Sequence, residues 1–189
     1  LKKDAYPKKV LNQLYKLTPL QSNFHYNMLA LVDGVQPRVL GLKEMLDEFV
    51  KHRRHVVRRR TEFELKKAKA RAHILEGLKI ALDHIDEVIA TIRASKTTDI
   101  AEKALREKFG LSEIQAKAIL AMQLRRLTGL EREAIEEELA ALLKLIGELE
   151  AILADENEIL RIIKEELLEM KEKYGDERKT KIINHELGK

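Results

Sequence analysis

The sequence predicts a mainly α fold: a long antiparallel two-helix coiled coil with a small helical tip domain and a short α/β remnant at the N-terminus. Three observations carry this. All three prolines, Pro7, Pro19 and Pro37, lie in the first fifth of the chain. Because proline breaks helix interiors, everything from about Val39 onward is free to be helical. Two long stretches repeat apolar residues in steps of three and four, the mark of a coiled-coil seam. The composition is 36% charged and 4% aromatic, with no Trp. A thin two-helix seam fits that scarcity of bulky residues better than a thick globular core.

The elements follow in order. Lys8 to Leu17 forms a short helix that Thr18-Pro19 ends. Gln21 to Val32 alternates roughly (Phe24, Tyr26, Met28, Ala30, Val32) and reads as a strand. Asp33-Gly34 is a turn signal, and Val39-Leu40 reads as a short returning strand. Gly41 to about Arg93 reads as one helix of roughly 75 Å. Its seam is Leu65, Ala68, Ala72, Leu75, Leu78, Leu82, Ile85, Ile89 and Ile92, with one stammer at Leu78. Ser95 to Asp99 offers N-cap residues for a helix over Ile100 to Phe109, which Gly110 closes. Ser112 caps a second short helix running to Leu127, where Thr128-Gly129 ends it.

From Leu130 to Tyr174 the heptad is stricter: Ile135, Leu139, Leu142, Ile146, Leu149, Leu153, Glu156, Leu160, Ile163, Leu167, Met170 and Tyr174. Two heptad helices of similar length joined by a compact segment should fold back on each other, with positions near Leu75 and Leu153 facing across the seam. Glu156 interrupts the seam as a frayed position or a hinge. The tail from Glu177 to Lys189 is polar and irregular.

Composition also excludes. With no Cys, disulfides and thiolate metal sites are absent, which suits a reducing cytosol. No apolar run approaches the roughly 18 residues that span a membrane. Leu1-Lys2-Lys3-Asp4 lacks the apolar stretch of a signal peptide and an initiator Met, so the chain reads as an excised fragment. The formal charge is only +4, so affinity for nucleic acid must come from local patches.

The densest patch is Lys51-His52-Arg53-Arg54-His55 with Arg58-Arg59-Arg60. Either it is a solvated helix face balanced by Glu62 and Glu64, or it contributes phosphate-directed charge through Arg53, Arg54, Arg58, Arg59 and Arg60. Its arginines surround the helix rather than forming one stripe, and no aromatics interleave for base stacking. His52, His55, His73 and His84 have no third ligand converging in sequence, so no metal site is expected. Ile114, Ala118, Ile119, Ala121, Met122 and Leu124 make the second tip helix apolar around much of its girth, which calls for a partner. The patch offered to it is Gln115, Ala118, Ile119, Met122, Gln123 and Arg126, self-complementary about a two-fold axis. Polar Gln and Arg among apolar residues suit a contact that must open.

Several strings resemble one family. They are Tyr15-Lys16-Leu17-Thr18-Pro19-Leu20-Gln21, Asn27-Met28-Leu29-Ala30-Leu31-Val32-Asp33-Gly34, and Arg58-Arg59-Arg60-Thr61-Glu62-Phe63-Glu64-Leu65. Arg71 to Leu78, Gln115 to Leu120, Arg126 to Glu131 and Glu177 to Thr180 continue them in order. Together they resemble the C-terminal part of the breakage–reunion region of bacterial DNA gyrase A subunits, which are type IIA topoisomerases. The A-type chain of topoisomerase IV is the near alternative. From the residues alone, a non-enzymatic coiled-coil interaction module and a nucleic-acid-gripping helical arm also stay open.

The resemblance implies an organisation: residues 1–41 end a tower domain, 42–95 ascend as one arm, 96–129 form the tip and dimerisation gate, 130–174 return, and 175–189 lead back towards the tower. It implies an ATP-hydrolysing A2B2 assembly in the cytoplasm that passes one DNA duplex through another. Mg and ATP are then bound on the gyrase B subunit, with no cofactor here. The family's nucleophile is a Tyr directly preceded by Arg. Here Tyr6, Tyr15, Tyr26 and Tyr174 follow Ala5, Leu14, His25 and Lys173, so no catalytic residue is assigned.

Overall fold

The computed structural model describes residues 2–123 and 129–182, and side chains over the same residues except 129–131. The chain divides into two units, Leu1–Val50 and Lys51–Lys189, each taken by itself.

In the first unit, α1 spans Pro7–Leu17 with proline at its first turn, where the missing N–H costs nothing. Thr18 ends it, donating both its N–H (2.9 Å) and its hydroxyl (2.6 Å) to the Leu14 carbonyl. The extended stretch forms a shorter strand than the alternation suggests. Only β1, Leu29–Val32, pairs, antiparallel to β2, Gln36–Val39, with Val32 opposite Gln36. Asp33 and Gly34 turn the hairpin with φ of 52° and 74°, the left-handed backbone of a type I′ turn. Pro37 is tolerated because this sheet has only two strands, and both are edges. Val32 and Leu40 are buried. The Gly41 N–H then donates to Glu44 Oε2 (2.7 Å), satisfying one of the free donors at the start of the next helix.

That helix, α2, spans Leu42–Asp83, 42 residues. It stops ten residues before the expected end. His84 takes φ −119° and ψ 36°, and α3, Ile85–Ala94, begins after it. The physical reason is packing on α4, Thr98–Phe109. The His84 ring tilts against Phe109, and Val88 is buried in the same cluster as Leu105, while Ile85 and Ile89 stay half-buried. The Thr97 hydroxyl caps α4, accepting from the Ile100 N–H (3.3 Å), and Gly110 closes it at φ 66°.

The returning arm also divides, into α6, Gly129–Ala154, and α7, Glu156–Tyr174. Asp155 is extended, and its carboxylate accepts from the Asn157 N–H (2.8 Å) as the N-cap of α7. The interruption expected at Glu156 is therefore a full helix break. Beyond it Ile159 is completely buried where Leu160 was expected, Leu160 is half-buried, and Ile163 keeps its expected buried place. Leu167, Met170 and Tyr174, placed in the seam by the uninterrupted heptad, are exposed.

The two arms run antiparallel. Ion pairs join Arg53 and Arg60 to Glu166, Arg58 to Glu156, Lys69 to Glu150, Arg71 to Glu138, and Asp83 to Arg132. Apart from Arg60, which shares Glu166 with Arg53, partner numbers fall along the returning arm as those of the ascending arm rise, the signature of a hairpin. The register differs from the expected pairing of Leu75 with Leu153. Leu75 packs in a cluster with Ile135 and Leu139, and Val57 with Ile159 and Ile163. Heptads alone do not fix register, since shifting a helix by seven residues preserves the pattern. Completely buried Leu75 is expected to cost about 2–5 kcal/mol on truncation to Ala, and exposed Leu167→Ala under about 0.5 kcal/mol, measured by urea unfolding.

Candidate gate surface and basic arm

The second tip helix, α5, spans Glu113–Leu120. Ser112 and Gln115 cap it reciprocally. The Ser112 hydroxyl accepts from the Gln115 N–H (3.3 Å), and Gln115 Oε1 accepts from the Ser112 N–H (2.9 Å). Ser112 was legible as the cap, and Gln115 three residues on completes the box. The helix ends at Leu120 rather than Leu127, as the Met122 N–H donates back to the Ile119 carbonyl (3.1 Å) in a tightened turn. Met122 and Gln123 therefore follow the helix instead of extending its face.

This placement redistributes the expected patch. Gln115 (6% exposed) and Ile119 (3%) are buried inside the protomer. Gln115 lies against α2, and Ile119 joins the cluster around Leu75 and Leu105. Sequence spacing places both on one helix face but does not say which side that face meets. Ala118 and Met122 are half-buried and Gln123 is exposed. These three line a hollow of about 320 Å³ with Ala121 and with Arg71, Ile74 and Leu78 of α2. The contribution of α2 to this surface has no signature in the tip sequence, because it depends on how α5 docks. Arg126 lies outside the described residues, as does the rest of 124–128.

The basic run is partly committed to the fold. Arg53 and Arg60 converge on Glu166, with Arg60 at 2.7 Å. Burial pushes the Glu166 carboxyl up, but hydrogen bonds and charge from Arg60 and Arg53 outweigh it and hold the group below its ordinary range. Arg58 pairs with Glu156. The balancing carboxylates thus come from the returning arm, not from Glu62 and Glu64 as the sequence suggests. Arg54 and Arg59 are exposed. Further along, Arg71 grips Glu138 with two parallel bonds of 2.7 and 2.8 Å, which raise the guanidinium above its usual range. Among the described residues, His73 is bonded to Ser112 and His84 marks the helix break; no three metal-ligating side chains come together.

The family of DNA gyrase/topoisomerase IV A subunits matches residues 1–168. The chain belongs to this family. It is 64% identical to the DNA gyrase A protein of Clostridium acetobutylicum, covering 96% of this chain and 22% of that protein. The gyrase A proteins of Halalkalibacterium halodurans and Staphylococcus epidermidis are 61% and 58% identical over the same 96%, covering 22% and 20% of those proteins. The chain thus spans about a fifth of the length of these relatives. Membership bears out the resemblance seen in the Arg58 to Leu65 and Asn27 to Gly34 strings. Among the described residues no helix is long and apolar enough to cross a membrane.

Because the Glu166 carboxyl is held low in the folded state, its ionised form favours the fold. Its contribution is fully present above the ordinary carboxylate range and is lost as pH falls through that range to the lowered value. Glu166→Gln is expected to cost about 1 kcal/mol at neutral pH and progressively less towards acid, measured by urea unfolding at several pH values.

Proposed function

We propose that this chain is the coiled-coil arm and dimer gate of a gyrase-type A subunit. The reading is supported above all by one arrangement: a family member in which two antiparallel arms carry a small helical tip, with a hollow of mixed polar and apolar lining between the tip and α2. In it, residues 1–41 belong to the tower and 175–189 lead back to it. Two tips meet about a two-fold axis through Ala118, Met122, Gln123 and Arg126, with Arg71, Ile74 and Leu78 from the adjacent arm. Gln115 and Ile119 support this surface from behind. A gate must hold and then release, so a hollow rimmed by Arg and Gln around small apolar residues suits it better than a wholly apolar face.

The arms give the gate leverage. Their interruptions at His84 and Asp155 are the places where each can bend without unwinding a whole helix. Exposed Arg54 and Arg59, with the outer edges of Arg53, Arg58 and Arg60, add sequence-independent positive charge facing passing DNA. The names of the relatives favour gyrase over topoisomerase IV. The assembly is then A2B2 in the cytoplasm, with Mg and ATP on the B subunit, and it supercoils DNA by double-strand passage. Because no Tyr here follows Arg, the chain alone is expected neither to cleave nor to relax plasmid DNA; a covalent tyrosyl–DNA adduct would contradict this.

Met122→Asp places a charge against its symmetry mate, and association should weaken by roughly 3 kcal/mol or more. Sedimentation of both forms decides: a wild type monomeric at high micromolar concentration, or a variant that dimerises equally well, overturns the gate. For the arm, Arg54→Glu with Arg59→Glu should lower DNA affinity alike for all sequences and reduce the log–log salt slope by roughly 2. An unchanged slope would remove DNA from the role of this run.

A further inference from the structure

The buried amide of Gln115 has a place that neither capping nor dimerisation accounts for. Its nitrogen donates to the His73 carbonyl of α2 (2.7 Å) and lies 3.4 Å from His73 Nδ1. His73 Nε2 lies 2.7 Å from the Ser112 hydroxyl. One tautomer satisfies all of these contacts. With the proton on Nε2, the imidazole donates to Ser112 Oγ while Nδ1 accepts from the second N–H of Gln115. The other tautomer sets Nδ1–H against the N–H of Gln115. The capping box of α5 is thereby tied to one side chain and one carbonyl of the ascending arm.

One turn along, Gly77 makes the seat. A Cβ added there would lie 2.6 and 2.7 Å from Gln115 Cγ and Cβ. These atoms lie near the root of the side chain, so rotating its end gives no relief. A glycine inside a long helix costs about 1 kcal/mol relative to alanine. Close approach of Gln115 to the backbone of α2 is what it permits.

We propose that His73, Gly77, Ser112 and Gln115 form a latch that fixes α5 on α2, and so sets the face that the tip offers a second copy of the chain. The last part rests on the gate reading above. The latch engages the ascending arm, so bending of that arm is passed to the gate surface through it. The hollow supports this arrangement, since α2 supplies Arg71, Ile74 and Leu78 to it while α5 supplies Ala118. These four residues act by positioning others.

The test is hydrogen exchange on the 189-residue chain with sedimentation alongside. Gly77→Ala and His73→Leu should speed exchange of the α5 amides about ten-fold or more while α7 is unchanged. His73→Gln, which keeps a donor near the Nε2 position, should stay close to wild type. Imidazole nitrogen shifts should show a protonated Nε2 and a bare Nδ1. Unchanged α5 exchange in both disruptive variants, or a protonated Nδ1 in the neutral ring, overturns the latch. If Gly77→Ala unfolds, the His73→Leu and His73→Gln pair decides alone. Association should weaken with the loosening of α5; a loosened α5 with unchanged association overturns its role in setting the gate face. A wild type that stays monomeric while α5 exchange responds as expected supports the latch and counts only against the gate.

Discussion

A helix of 42 residues cannot bury its own apolar stripe, and that constraint governs the structure. Along α2 the stripe runs from Val57 through Ala68, Ala72, Leu75 and Leu78 to Leu82. Its cover has to be another long helix, since no thick core exists to fold against. Ile135, Leu139, Leu149, Ile159 and Ile163 supply it from the opposite direction. Ala68 and Ala72 are buried small residues of the stripe, and Leu75 and Val57 are its completely buried bulky ones. Apolar burial holds such a seam together but is tolerant of sliding. The cross-arm ion pairs distinguish one register from its neighbours, and each adds little stability at an exposed site.

The interruptions at His84 and Asp155 show how a seam ends or changes phase. At His84 the ring packs against Phe109 of α4. Breaking there lets Val88 enter the same apolar cluster as Leu105. At Asp155 the break removes a carboxylate from the interior. Glu156, which an unbroken heptad would bury, instead meets Arg58 in solvent, and Ile159 takes the interior place. Burying a lone carboxylate costs far more than one helix break, so the backbone yields first.

At the tip the same competition is settled by a polar contact. The second short helix has more apolar girth than one side can cover. Which side turns inward is set by Gln115, whose amide finds His73 and whose side chain fits only over a glycine. Turning Gln115 in takes Ile119 with it and leaves Ala118 and Met122 beside α2. The surface left for a partner is therefore composite, drawn from the tip and from the arm beneath it.

Much was legible in the residues. The placing of the prolines, a cap within Ser95 to Asp99, Ser112 as a cap, Gly110 as a helix stop and Asp33-Gly34 as a turn are local signals. They read correctly because each depends on neighbours within a few residues. The strings that resemble gyrase A subunits pointed to the family for the same reason, being contiguous. What the sequence left undetermined was relative placement. A heptad repeats, so it could not choose between Leu75 facing Leu153 and Leu75 facing Leu139. A helical face has two sides, so spacing could not say that Gln115 turns inward. Charge runs show no partners, so Glu62 and Glu64 stood in for Glu156 and Glu166, which lie far along the chain and meet the arginines only when the arms close. Those choices belong to the tertiary structure, because each turns on contacts between residues far apart in the chain.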